Sequence, residues 1–262
     1  MVSLDADFMK IIRPREYKNL VRLGNNNDGG YIVPIDVMRK CRQLVSYGYG
    51  NDFSFERNIS EILNDFNIVI YDDAASFYKL TKNLFISIIN RIFLGNSEFH
   101  PRRKLIDLKT FIQMKITPKI QYINRRIVAL EPMCRIETSI IKTLPAFENY
   151  AMKMDIEGSE YSCLKVLATC SNAPLVLLVE FHDITLNLED FISVLELLRI
   201  DFHLINTHIN NFGEIIDGIP QVIEMSFVNK KCGPIPDAFV ESIPSKIDQP
   251  NSIRFAEIIY QY

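Results

Sequence analysis

Short apolar runs alternate with amphipathic stretches along this chain, and their order indicates the fold. QLVSYGYG (43–50) is a short apolar and aromatic run ending in glycines. FSFERNISEILNDF (53–66) follows at helical spacing, with Phe55, Ile59, Ile62 and Leu63 on one face. NIVIYDD (67–73) is a buried-type strand closed by two acids. Strand, glycine turn, helix, strand is the βαβ order of a parallel sheet. RRIVALEP (125–132) and YAMKMDIEG (150–158) read as further strands, the second leading into a helix from Ser159. PLVLLVEFHD (174–183) is the clearest buried strand, because residues 175–181 contain one polar member, Glu180. LEDFISVLELLRI (188–200) is an amphipathic helix. FHLINTHINN (202–211) and PQVIEMSFVN (220–229) close the series. Residues 212–219 are too few for a parallel crossover, so this last pair must be antiparallel.

The segments outside this pattern differ in character. Residues 1–40 read as a helical lead-in followed by a turn-rich segment, with the loop NNNDGG (25–30) before a short strand YIVP (31–34). Residues 77–124 are basic and patchily amphipathic and read as a helical insertion containing HPRRK (100–104), either a solvated face or a contact for an anionic substrate. Residues 232–262 carry Pro234, Pro236, Pro244 and Pro250 and read as an irregular tail that wraps the rest. Together the 262 residues read as one domain of α/β class: a doubly wound, mostly parallel seven-stranded sheet with an antiparallel terminal pair. This architecture resembles the seven-stranded fold of class I S-adenosylmethionine-dependent methyltransferases.

Composition narrows the possibilities further. With 48% apolar and 23% charged residues the chain is not disordered, and its net charge of −3 excludes a chain-wide nucleic-acid footprint. Five dispersed cysteines without a C-x-x-C pair indicate neither a disulfide framework nor a zinc knuckle, and fit a reducing, cytoplasmic setting. Asp5, Asp7 and Lys10 stand where a secretion signal would be apolar. The longest apolar stretch, 83–95, is broken by Arg91, so no membrane span is expected.

The turn Y-G-Y-G-N-D (47–52) lies between strand and helix, where Gly48, Gly50 and Asn51 would let a ligand approach the backbone, or would simply make a tight turn. Asp72, at the end of the next strand, is placed to accept from both ribose hydroxyls of an adenosine, while Asp72 or Asp73 could equally cap a helix. A dinucleotide fingerprint needs a third small residue, but Phe53 stands there, which disfavours an NAD-type oxidoreductase. Acids, histidines and amides gather at later strand ends: Asp155 and Glu157, then Glu180, His182 and Asp183, then His208, Asn210 and Asn211. Asp155 would orient acceptor or cofactor, and His182 or His208 would act as base, since histidine titrates near neutral pH. A divalent cation, Mg or Mn, could sit among Asp155, Glu180, His182 and His208. Glu157 could instead cap the next helix, and Asp28 with Tyr31 could either close over the site or form a plain hairpin turn.

K-M-D-I-E-G-S-E-Y (153–161) resembles the K-x-D-x-E-G-x-E core of FkbM-type methyltransferases. D-G-G-Y (28–31), S-Y-G-Y-G-N-D-F-S-F-E (46–56), E-F-H (180–182), H-I-N-N (208–211) and I-P-Q-V-I-E (219–224) agree in order, so the similarity spans about residues 20–230. The resemblance implies S-adenosylmethionine as cofactor and an acceptor hydroxyl on a sugar, sugar nucleotide or polysaccharide precursor. The cofactor set is then Gly48, Gly50, Asn51, Asp72 and Asp155; Glu157, Asn210, Asn211, Asp28 and Tyr31 would meet the acceptor. Two departures stand out. Many members end the second strand in Glu-Pro, whereas here that strand ends Y-D-D and the Glu131–Pro132 pair comes much later. The 77–124 insertion has no counterpart in the family pattern. The rival readings are an NAD-type oxidoreductase and a catalytically silent assembly module.

Overall fold

In the computed structural model of the protein, which describes residues 4–63, 65–93 and 100–262, the apolar runs pair into one seven-stranded sheet. In chain order its strands are β3 (Gln43–Tyr47), β4 (Asn67–Tyr71), β5 (Ile120–Ile123), β6 (Tyr150–Met154), β7 (Val176–Phe181), β8 (Phe202–Ile209) and β9 (Ile223–Asn229). A separate antiparallel hairpin of β1 (Leu20–Gly24) and β2 (Gly30–Pro34) precedes them. The sheet order is β8-β9-β7-β6-β3-β4-β5, with β9 antiparallel to both neighbours and the remaining pairs parallel. This is the class I S-adenosylmethionine-dependent methyltransferase fold.

Every residue of β6 and β7 is buried, which explains their unbroken apolar runs: crossover helices cover both faces of a parallel sheet. One core cluster, including Tyr47, Met152, Phe181 and Phe191, also takes in α5 (Glu160–Leu167) and α6 (Leu188–Asp201). The other includes Leu44, Phe66 and Ile68 and takes in the apolar side of α2 (Ser54–Ile62), with Phe55 and Ile59. Phe53, at the third position of the glycine turn, is buried in that second core.

The sheet's third parallel strand differs from the sequence expectation. RRIVALEP contributes only Arg126–Val128, which pairs with Glu137–Ser139 outside the sheet. The edge position is taken by β5, inside the stretch read as helical. An edge strand of four residues needs few apolar contacts; Tyr122 is buried while Gln121 is exposed, too short an alternation to stand out. The helices α3 (Phe77–Phe93) and α4 (Pro101–Ile116) therefore form the crossover between β4 and β5 and pack against each other.

Both ends of the chain fold back on the sheet. The Ser226 hydroxyl on β9 donates to the Ile32 carbonyl of β2, 2.6 Å. In the tail, Ser242–Ile243 pairs with Tyr260–Gln261, and the stretch between them crosses the carboxyl end of β8.

The glycine turn is where the sheet tolerates no side chain. Gly48 has φ +89°, and a Cβ there would lie 1.8 Å from the Asp155 carbonyl oxygen. The space beside Gly48 is thus taken by the neighbouring chain, whereas Gly50, φ +55°, faces open space. Gly48→Ala should cost at least about 2 kcal/mol of unfolding free energy through backbone strain and clash, and Gly50→Ala about 1 kcal/mol, as read by urea denaturation.

Candidate active site

The strand ends converge on Lys153, the last but one residue of β6. Its buried ammonium donates to the Gly48 carbonyl at 3.1 Å and to Asp155 Oδ2 at 3.4 Å, and lies 5.1 Å from the centre of the Tyr31 ring. Burial opposes this charge, but Asp155, Glu56 and Glu180 outweigh it and hold the pKa above the ordinary lysine value. Glu56, in the first turn of α2, is itself buried and accepts from the Ser46 hydroxyl at 2.6 Å; burial raises its pKa, with Lys153 opposing. Tyr31 reaches over from the hairpin and donates to Asp155 Oδ2 at 3.3 Å. The N-terminal hairpin therefore contacts Asp155 and Lys153 through Tyr31.

His182 stands beside Asp155, just beyond β7. Its Nδ1 is bonded to Glu160 Oε1 at 3.0 Å. Glu160 is fully buried and accepts in addition from the backbone N–H groups of Ile156 and Gly158, at 2.9 and 2.7 Å. A carboxylate so tethered fixes the ring's orientation. The other nitrogen, Nε2, points among Glu157 Oε2 at 3.7 Å, Asp155 Oδ1 at 3.9 Å and Glu180 Oε1 at 4.0 Å. Burial works against an imidazolium here, but the Glu160 bond and the charges of Glu180, Glu160 and Asp155 raise the pKa to about 9. At neutral pH His182 is thus protonated, unlike the neutral base expected from its ordinary titration range. Glu180 is shifted upward too, which for a carboxyl favours the neutral form: burial, Asp155 and Glu224 raise its pKa, while His182 and the 3.0 Å bond from Asn210 Nδ2 oppose.

Between the glycine turn, the ends of β4 and β6, and Arg126 lies a cleft of about 360 Å³. Asp72 and Asp73 share its wall but differ in use. Asp72 Oδ1 accepts from the N–H groups of Ala74 and Ala75, and Oδ2 accepts from the Tyr49 N–H; the Tyr122 hydroxyl beside it donates to the Ala75 carbonyl at 2.6 Å. A carboxylate offers about four lone-pair directions. Asp72 caps the following turn and holds the glycine turn against β4, which leaves about one lone-pair direction of its carboxylate for a ligand. Asp73 uses only Oδ2, accepting from Arg126 Nε and Nη2 at 3.0 and 2.7 Å.

Other sequence candidates lie apart from this centre. His208 is buried under the tail, with Nε2 3.3 Å from Glu257 and Nδ1 3.7 Å from both Glu224 and Asp248. Burial opposes its charge, but Glu224, Glu257 and Asp248 raise the pKa to about 10, so it serves as a structural cation and not as a base or metal ligand. Asn211 is spent on the tail: its amide donates to the Ser252 and Phe255 carbonyls and its oxygen accepts from the Ser252 N–H, leaving nothing for an acceptor. Asn51 is exposed at φ +64° on the turn, and Asn210 holds Glu180 and the N–H of Phe212. Glu157 is exposed at φ +54° and makes no helix cap. Glu131 lies on an exposed loop, paired with Lys142. Asp28 sits in the hairpin loop, where burial and the nearby Glu224 raise its pKa.

Glu160, Glu56 and Asp73 are the site residues that sequence reasoning missed. The i+5 spacing of Glu160 from Asp155 gave no hint that its carboxylate turns back under the loop. Among the described residues, the group able to gather around one metal ion is Asp155, Glu157 and His182, whose ligand atoms lie within 4.8 Å of one another. This set keeps Asp155 and His182 from the expected four and replaces Glu180 and His208 by Glu157.

No family model matches the chain, and no curated protein matches it. Several solved structures resemble it in part. A fibrillarin/Nop5p complex aligns at 14% identity and TM-score 0.39, covering 73% of this chain and 74% of that one. A dimethyladenosine transferase from Plasmodium falciparum aligns at 9% identity and TM-score 0.38, covering 88% and 64%. A predicted O-methyltransferase from Agrobacterium tumefaciens aligns at 11% identity and TM-score 0.34, covering 73% and 74%.

The His182 arrangement has a measurable signature. Its imidazole resonances should titrate near pH 9, and Glu160→Gln should bring the midpoint back toward the ordinary value of 6.5. Because the folded-state pKa is raised, the stabilisation is full below about pH 6.5 and is lost as pH rises through 9. Urea unfolding free energy should therefore fall over that window, and fall less in Glu160→Gln.

Proposed function

We propose that this chain is an S-adenosylmethionine-dependent O-methyltransferase of the FkbM type, acting on a hydroxyl of a saccharide or saccharide precursor. The observation that carries the reading is His182, clamped by buried Glu160 and aimed at Asp155 above a cleft at the carboxyl ends of the parallel strands. Ligands of open α/β sheets bind at that edge.

The cleft suits the cofactor. Gly50 leaves its side of the turn open, and Asp73 keeps Oδ1 for ribose hydroxyls. The carboxylates of Asp155 and Glu157 suit a ligand carrying a sulfonium and an ammonium. When bound, S-adenosylmethionine supplies a methyl group activated for in-line displacement. The chain's task is to align an acceptor oxygen and relieve it of its proton. Asp155 is the group placed for that: Tyr31 and Lys153 fix Oδ2, and Oδ1 is left toward the cleft. His182, protonated, faces Asp155 and steadies its charge. A divalent cation held by Asp155, Glu157 and His182 is the alternative occupant of this corner; it would polarise the acceptor hydroxyl, and an imidazole with two carboxylates suits manganese better than magnesium.

The surrounding acids also bear on the acceptor. Burial, and after it the charges of Asp155 and Glu224, raise the pKa values of Asp28 and Glu180. A phosphate would be repelled here, so the acceptor should present neutral hydroxyls at this point, with any phosphate kept at a distance.

Calorimetry with S-adenosylhomocysteine tests the reading. Binding should be seen with the native chain, and Asp73→Asn should weaken it at least tenfold, about 1.4 kcal/mol. Absence of binding to the native chain would overturn the assignment.

A further inference from the structure

The crossover between β4 and β5 is a helical hairpin that the proposed reaction does not use. Its inward side is satisfied by Leu80, Phe111 and Met114, all buried in the second core. Its outward side is unlike that of an ordinary surface helix, where polar residues should dominate. On α4, Leu105, Ile112 and Ile116 recur at helical spacing along one exposed stripe with Ile106 beside it, and α3 exposes Tyr78 and Phe85. Ile116 and Tyr78 are each 73% exposed.

Basic side chains are interleaved with these apolar ones. Lys82 lies between Tyr78 and Phe85, and Lys109 between Leu105 and Ile112; Arg102, Arg103 and Lys115 are exposed as well. Residues 77–116 hold eight Lys or Arg against two Asp or Glu, a formal +6 in a chain whose total is −3, so the remainder carries −9. One of the two acids, Asp107, is paired with Lys104 at 3.4 Å.

We propose that the α3–α4 hairpin docks on the surface of an anionic lipid bilayer, with its apolar side chains in the headgroup region and its lysines and arginines on the lipid phosphates. Charge complementarity selects this occupant. A second copy of the chain would bring two basic hairpins together, and a nucleic acid would gain little from a stripe of leucine and isoleucine. Helices that are basic and apolar together lie in the membrane interface. Neither helix spans: α3 has 17 residues and α4 has 16, and among the described residues no helix is long and apolar enough to cross a membrane. Because α3 starts four residues after Asp73, docking would hold the cleft at the membrane surface.

Vesicle flotation of the full chain tests this. Phosphatidylcholine vesicles containing about one-third phosphatidylglycerol should take up the protein at least tenfold better than phosphatidylcholine alone, and added salt should reduce the uptake. Phe85→Ser with Ile106→Ser and Ile112→Ser should lower uptake at least tenfold, with melting temperature and S-adenosylhomocysteine affinity unchanged. Lys82→Glu with Lys109→Glu should do the same, and serves if the apolar variant folds poorly. The proposal is overturned if the native chain fails to float with anionic vesicles, if it floats equally with neutral ones, or if both variants float like the native chain. It is also overturned if the face instead mediates a dimer in sedimentation or binds a single-stranded RNA in preference to vesicles. Since no residue of the hairpin lines the cofactor cleft and none of the five substituted side chains touches it, these outcomes are independent of cofactor binding.

Discussion

The ammonium group of Lys153 is buried at the end of the central strand, where the peptide carbonyl of Gly48 and the carboxylate of Asp155 meet. Three parts of the chain depend on it. The glycine turn after β3 is tied to β6 through it; Tyr31 of the N-terminal hairpin packs on it; and Glu56 of α2 balances its charge from behind. Removing one member of such a set would leave buried charge uncompensated, which costs several kcal/mol. The site is thus an electrostatic assembly first and a cavity second.

A second carboxylate–cation pair is nested within the first. Glu160 holds His182, and His182 faces Asp155, which Lys153 also contacts. Asp155 therefore lies between two cations while remaining part-exposed to the cleft. A carboxylate held in that way is fixed in direction before any ligand arrives.

Much of this was legible in the chain. The unbroken runs of β6 and β7 gave themselves away because both faces are covered, and the eight residues between the runs 202–211 and 220–229 dictated an antiparallel closure. The K-x-D-x-E-G-x-E string holds Lys153, Asp155 and Glu160, which the fold brings together with His182 and Tyr31. What escaped has a common physical cause: it depends on contacts distant in sequence. His208 looks like a strand-end base until Asp248 and Glu257 arrive from the tail to bury it. Asn211 looks available until the Ser252 and Phe255 carbonyls consume its amide. Gly48 reads in the sequence as a point of ligand approach or a tight turn, but that a Cβ there would meet the Asp155 backbone depends on a strand a hundred residues away. The short edge strand β5 carried too little alternation to be told from the helix before it.

The tail's grip on His208 and Asn211 bears on how the molecule comes into being. Glu224, which flanks His208, also accepts from the Asn251 amide at 2.6 Å. During synthesis the sheet can pair once β9 has emerged, yet this wall has no lining until residues near 250 leave the ribosome. A nascent chain would therefore carry a paired sheet beside an unfinished flank until those residues arrive, and in that interval Glu224 and His208 would still be open to water.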